Sequence, residues 1–132
     1  MKTFQVKIVT PKGIYRTSEI EMLNVRTTMG QIGILANHMP LASAIEISEM
    51  NMIQNGNREE FAIAGGFIYV GEEETTIIAN AIESQSEIDI DRAKDAKKRA
   101  EERIHHKSAD IDMLRAEAAL KRAIVRIHVK DL

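Results

Sequence analysis

The chain has 132 residues, 44% of them hydrophobic, enough for one domain with a real core or a small domain with an appendage. A formal net charge of −2 excludes a polycation, and the absence of cysteine excludes disulfide staples and zinc–thiolate sites. "MKTFQVKIVT" alternates instead of running apolar, which predicts no signal peptide, and no 18-residue apolar run predicts a membrane span.

The first segment, "FQVKIVT", puts Phe4, Val6 and Ile8 on one face, the mark of a half-buried strand, and "PKG" turns it. "EIEMLNV" follows, then "TTMGQIG" reads as a loop and "IGILA" as a further strand. Asn37-His38-Met39-Pro40 breaks the run, because proline disfavours helix at the residue before it. "LASAIEIS" and "MNMIQ" come next, and Asn55-Gly56-Asn57 is a hairpin signal. "EEFAIAGG", "FIYV" and "TTIIANA" complete the pattern, with Gly65-Gly66 marking a bulge or a close backbone contact. Short strands at this spacing predict a sandwich or barrel of eight to ten strands in two sheets.

Near residue 84 the chain changes character. All seven glycines, both prolines and all five aromatics lie at or before Gly71. Residues 1–87 carry a net charge of −5, and residues 88–132 a net of +3. The reading is therefore α+β: a β domain over 1–84 and a basic helical arm over 88–132. Ile90, Ala93, Lys97, Ala100 and Ile104 mark one helical seam; Met113, Ala116, Leu120, Ile124 and Ile127 mark another. The polar stretch "HHKSAD" separates them, with Ser108 or Asp110 placed to cap the second helix and Asp89 to favour the start of the first. Two helices joined this way predict an antiparallel hairpin. Its alanine seam buries little apolar area, so it must lean on the β domain, a ligand or a partner.

The arm carries a ladder of arginines. With Lys107 as the hairpin centre, Arg99 and Arg115 lie eight residues either side, and Arg92 and Arg122 fifteen. Like charges brought within 4 Å repel by about 4 kcal/mol at an effective dielectric of 20, and a polyanion between them removes that strain. From spacing alone the ladder reads first as a solvated helix face with local pairs to Asp95, Glu101, Glu102 and Glu117, and second as an anion site. No catalytic constellation accompanies it. His38 has no nucleophile or orienting acid beside it in sequence, so a small hydrolase is disfavoured, and adjacent His105 and His106 point apart on a helix. No metal site is expected. A nucleic-acid-binding module using the basic arm is the alternative, weakened by the lack of any aromatic there for base stacking.

"IVTPKG", "GQIGILANHMPL", "AIAGGFIYV" and "RAEAALKRAIVRI", in this order along the whole chain, resemble the epsilon subunit of bacterial F-type ATP synthase. Asn37 stands where that family usually has glycine; asparagine tolerates the left-handed backbone, so the turn survives. Ala64 stands where serine is common. The resemblance implies a ten-stranded sandwich followed by the two helices. It implies a non-catalytic place in the rotor stalk, with the gamma subunit, the membrane c-ring and, through an extended arm, the alpha/beta catalytic head as partners. It also implies a peripheral position on the cytoplasmic face of the membrane, and an arm that restrains ATP hydrolysis. The stretch "GQIGILANHMP", with Gly30, Gln31, Gly33 and His38, is implied to be a loop that meets the c-ring.

In some bacterial members Ile/Leu-Asp-x-x-Arg-Ala marks a regulatory ATP site, and Ile88-Asp89-Ile90-Asp91-Arg92-Ala93 matches it in full. By that resemblance Asp89 reads the adenine edge, with Ile88 and Ala93 in apolar contact. Glu83 and Arg92 orient the nucleoside; Arg99, Arg115, Arg122 and Arg126 hold the phosphates. ATP is then the regulatory ligand, with no metal or prosthetic group resident.

Overall fold

The computed structural model describes residues 2–106 and 112–132. Eight strands come first: β1 (Phe4–Thr10), β2 (Gly13–Ile20), β3 (Met22–Thr27), β4 (Gly30–Leu35), β5 (Leu41–Gln54), β6 (Asn57–Val70), β7 (Glu74–Ala79) and β8 (Ile82–Ser84). A 3-10 turn, Gln85–Glu87, leads to α1 (Ile90–His106) and α2 (Met113–Lys130). The proposed hairpin centre Lys107 and the proposed caps Ser108 and Asp110 lie outside the described residues. The cap of α2 is Asp112, whose carboxylate accepts the Arg115 amide at 3.2 Å.

The strands are ordered β2-β1-β7-β6-β5-β3-β4, with β8 also pairing to β6. β1 and β7 run parallel; the other pairs are antiparallel. One hydrogen-bonded sheet thus stands in place of the two expected; although β2 ends this path, it contacts β5, so the sheet folds over on itself. Every strand contributes to the core thus enclosed, from Val6 and Ile8 through Leu23, Ile34, Met50 and Phe61 to Ile77 and Ile82.

Eight strands replace the ten that the resemblance implied. The difference lies in β5 and β6, which are 14 residues each and stay paired along their length. The pairing is interrupted only where Glu46 faces Gly65, between Ile45–Gly66 and Ile47–Ala64. Counting both strands as two segments about that point recovers ten. Gly65 and Gly66 have φ of +82° and +148°, and a Cβ on Gly66 would sit 2.0 Å from the Ile78 carbonyl oxygen. The close backbone contact expected there is present.

The turns follow their sequence signals. Asn55 and Gly56 both have positive φ (51° and 76°), the left-handed pair of a two-residue hairpin between β5 and β6. Asn37 has φ 65°, as its tolerance for that region allows.

Another expectation fails: "TTMGQIG" is no loop, because residues 30–35 form β4, fully paired with β3. Thr27 closes the turn between them, its Oγ1 donating to the Gly30 carbonyl at 2.9 Å and accepting the Met29 amide at 3.1 Å. Gly30, Gln31 and Gly33 therefore sit on a strand at the end of the sheet path, and only His38 lies in a loop.

The helices pack on each other. In α1 the predicted seam holds: Ala93 and Ala100 are buried, with Ile90, Lys97 and Ile104 half-buried. In α2 the seam is shifted. Ala116 and Ala123 are buried, while Ile124 is exposed. α2 also packs on β5 and β6, and Val129 and Val125 meet Ala62 and Ile88 in a small second cluster. The start of α1 and the end of α2 thus share one anchor on the sandwich. Gln85 ties it down: its amide donates to the carbonyls of Val129 (3.0 Å) and Leu132 (2.7 Å). Lys130 Nζ returns a bond to the Gln85 carbonyl at 3.0 Å.

Candidate functional site

Where the helices leave the sandwich, a cleft of about 370 Å3 opens. Its walls come from three places. The β1–β2 turn gives Lys12, and the β7–β8 corner and β8 give Ala81, Ile82 and Glu83. The helical part gives Glu87, Asp89, Arg92 and Ala93 at its start and Arg126 near its end. Of the predicted nucleotide residues, Glu83, Asp89, Arg92, Ala93 and Arg126 are therefore brought together. Arg122 lines a narrower crevice that shares Ala81, Ile82, Glu83 and Arg126 with the cleft. Arg99 and Arg115 are exposed further along the helices and line neither space. Ile88 is buried at 3% exposure in the cluster under Val129, so it supports the cleft rather than facing it.

The local chemistry explains why these groups stand where they do. Asp89 Oδ1 accepts the Arg92 amide at 3.1 Å and the Asp89 carbonyl receives the Ala93 amide at 3.0 Å, so the motif's aspartate also caps α1. Glu83 Oε1 accepts from Arg126 Nε at 2.6 Å, a charged pair joining β8 to α2. Glu87 takes part in the capping box of the 3-10 turn, accepting the Ser84 amide at 2.9 Å, and it also accepts the Tyr15 hydroxyl. That phenol bond, with the Ser84 amide second, holds the Glu87 carboxyl below its usual range. Tyr15 is pushed up to about 12, first by burial and then by the same carboxylate.

Lys12, Tyr15 and Glu87 were not among the predicted residues. Tyr15 and Glu87 are 72 positions apart, and no local spacing signals that they meet. The Glu83–Arg126 bond was also missed as a pair, although both members were named. His128 is 60% exposed at its side chain and has Nδ1 2.8 Å from Glu49 Oε2. That is ion-pair distance without hydrogen-bond geometry. Elsewhere, His38 Nδ1 sits 2.7 Å from the Met39 carbonyl oxygen, within its own turn. Among the described residues no cluster of three or more His, Cys, Asp or Glu side chains is placed to hold a metal, and no helix is long and apolar enough to cross a membrane.

A folded-over β-sheet followed by two docked helices, with a charged cleft at their junction, defines a two-part architecture that matches known families over nearly its whole length. The profile described as "ATP synthase, Delta/Epsilon chain, beta-sandwich domain" matches residues 3–85, and "ATP synthase, Delta/Epsilon chain, long alpha-helix domain" matches residues 86–131. The ATP synthase epsilon chain of Bacillus pumilus is 45% identical over 106 residues, which cover 80% of this chain and 81% of that one. That of Bacillus thuringiensis is 42% identical over 109 residues, covering 83% and 82%. The chain belongs to the ATP synthase delta/epsilon family, among the epsilon subunits of the bacterial F-type enzyme. The same fold occurs in solved structures at low identity. A chain of the Euglena gracilis mitochondrial ATP synthase has a TM-score of 0.84 at 16% identity, over 100% of this chain and 83% of that one. One from the Tetrahymena thermophila central stalk/c-ring has 0.63 at 14%, over 99% and 97%.

Proposed function

We propose that this chain is a non-catalytic rotor subunit whose two helices form an ATP-sensitive regulatory arm. Its partners are the gamma subunit and the c-ring, and the alpha/beta head when the arm extends. The subunit then sits peripherally on the cytoplasmic face of the membrane, held there by the complex. The observation that carries the reading is the position of the Ile88–Ala93 motif. Its Asp89, Arg92 and Ala93 line a cleft whose other walls belong to the sandwich and to α2. A ligand filling that cleft touches both parts at once, so it favours the docked arm over any state in which they separate.

A ligand that binds only the docked state stabilises it by RT ln(1 + [L]/Kd), about 2.7 kcal/mol at 100 times its Kd. Abundant ATP then holds the arm down, and scarce ATP releases it to obstruct hydrolysis. The arginine ladder divides between two roles in this scheme. Arg92 and Arg126 face the cleft with Arg122 beside it, and Arg99 and Arg115 swing in only if the ligand's phosphates reach along the helices. Isothermal titration tests the ligand: wild type should bind ATP saturably below millimolar concentration, and Asp89→Ala and Arg92→Ala should weaken it. Absence of binding by wild type at millimolar ATP would return the ladder to a solvated face.

For the rotor contact, the exposed β3–β4 turn is the favoured surface, with Met29 at 89% exposure beside Gly30 and Gln31. Cysteine placed at Gln31 should crosslink to the c subunit's polar loop in assembled enzyme; crosslinks only to the catalytic head would reverse the orientation.

A further inference from the structure

The cleft is lined by three acidic and three basic groups, so its number of charges does not select a ligand. What selects is which groups are already engaged. Each carboxylate has a donor from its own chain: Glu83 has Arg126 Nε at 2.6 Å, Glu87 has the Ser84 amide and the Tyr15 hydroxyl, and Asp89 has the Arg92 amide. Among the described residues, neither Lys12 nor the Arg92 guanidinium forms a salt bridge. Two uncommitted cations therefore border one cleft. Arg92 stands on the first turn of the arm, and Lys12 on the tight turn of the first hairpin of the sandwich.

The turn fixes Lys12 well. Thr10 pairs with Gly13 across it, the Lys12 amide donates to Thr10 Oγ1 at 3.2 Å, and Gly13 takes a φ of +117°. The backbone is thus set, while the ammonium group remains the mobile end of an exposed side chain.

We infer that Lys12 is a phosphate-binding residue of the cleft, holding from the sandwich the anionic ligand whose other end Arg92 holds from the arm. The inference rests on the nucleotide reading above and adds to it a residue outside the arm. It also gives the sandwich an active part in closure. A phosphate bridged between Lys12 and the arm's arginines is a direct electrostatic tie between the two parts, where the apolar anchor at Val129 is small. Strongly hydrated ammonium groups act on phosphate as point charges, so the contact tolerates a mobile side chain.

Isothermal titration of the full chain with ATP tests it, using wild type, Lys12→Gln, Lys12→Arg and Lys98→Gln. Lys98 is exposed on α1 and outside this cleft, so its variant removes the same charge elsewhere. Lys12→Gln should weaken ATP about five-fold, the effect of losing one solvent-screened ion pair. Lys12→Arg should retain most of the affinity, and Lys98→Gln should match wild type. If wild type binds ATP and Lys12→Gln binds equally well, or if Lys98→Gln weakens binding as much, the role of Lys12 is overturned while the nucleotide site stands. If wild type binds no ATP, both fall together. Thermal melts of each variant, expected to coincide with wild type, separate lost contacts from lost folding.

Discussion

The sandwich and the arm are built on different principles. In the sandwich, sixteen buried residues contributed by all eight strands form one cluster, with Phe61 and ten branched or long side chains wholly enclosed. The arm's buried seam is alanine: Ala93 and Ala100 on α1, Ala116 and Ala123 on α2. Its anchor on the sandwich is Ile88, Val129 and Val125 against Ala62, plus the bonds of Gln85 and Lys130. Alanine seams let helices approach closely while gaining little from burial. One part is therefore committed to its fold, and the other is held against it by few contacts.

The largest expected effect breaks the committed part. Gly66→Ala would drive a Cβ into the Ile78 carbonyl oxygen, at a positive φ that L side chains rarely adopt. The pair of strands must separate, and the cooperative melt should be lost or lowered by more than the roughly 3–5 kcal/mol of Phe61→Ala, a cavity at 0% exposure. By contrast, a chain ended after Ser84 should still melt cooperatively with a β-type circular dichroism spectrum, since its core contains nothing from the helices. A molten fragment would show that the two parts are one folding unit.

Gln85→Ala sharpens the contrast at the anchor. It removes two bonds to the end of α2, each worth about 1 kcal/mol. Amide exchange in α2 should therefore quicken by roughly ten-fold or more, with the sandwich melt nearly unmoved. Equal destabilisation of both parts would deny that the arm opens by itself.

The smallest effect is in pH. Glu87 is held below its usual range, so its stabilising bond is complete above the unfolded carboxyl value near 4.3 and is lost as pH falls through the folded value. Tyr15, raised to about 12, contributes below pH 10 and loses that contribution as pH rises toward 12. Tyr15→Phe should flatten both limbs of a stability–pH profile; an unchanged profile would mean the pair carries no linkage.

Local signals in the chain foretold much of this arrangement. Asn55-Gly56 specified its hairpin, and Ala93, Lys97 and Ala100 the packed face of α1, while the left-handed turn at Asn37 was implied by the family resemblance. The errors arose where composition and neighbourhood competed. Glycines at 30 and 33 suggested a loop, but Thr27's hydroxyl closes a tight turn and leaves them in a paired strand. On α2 the 3-4 spacing named Ile124 as a seam residue, yet it is exposed and Ala123 is buried, because close helix approach selects the smaller side chain. In the cleft, the six-residue motif was legible because it is contiguous. Lys12 and Glu87 were not, nor was Glu87's partner Tyr15 outside it, because only the folded sheet carries the first hairpin to the start of the helices.

On the proposed reading, a ligand in the shared cleft sets the balance between the two parts. Hydrogen exchange of α2 amides in the isolated chain, with and without saturating ATP, measures that balance directly. Protection should rise by about a hundred-fold at 100 times the Kd, confined to the helices and the cleft's walls. Exchange in α2 that is unchanged by bound ATP would contradict it.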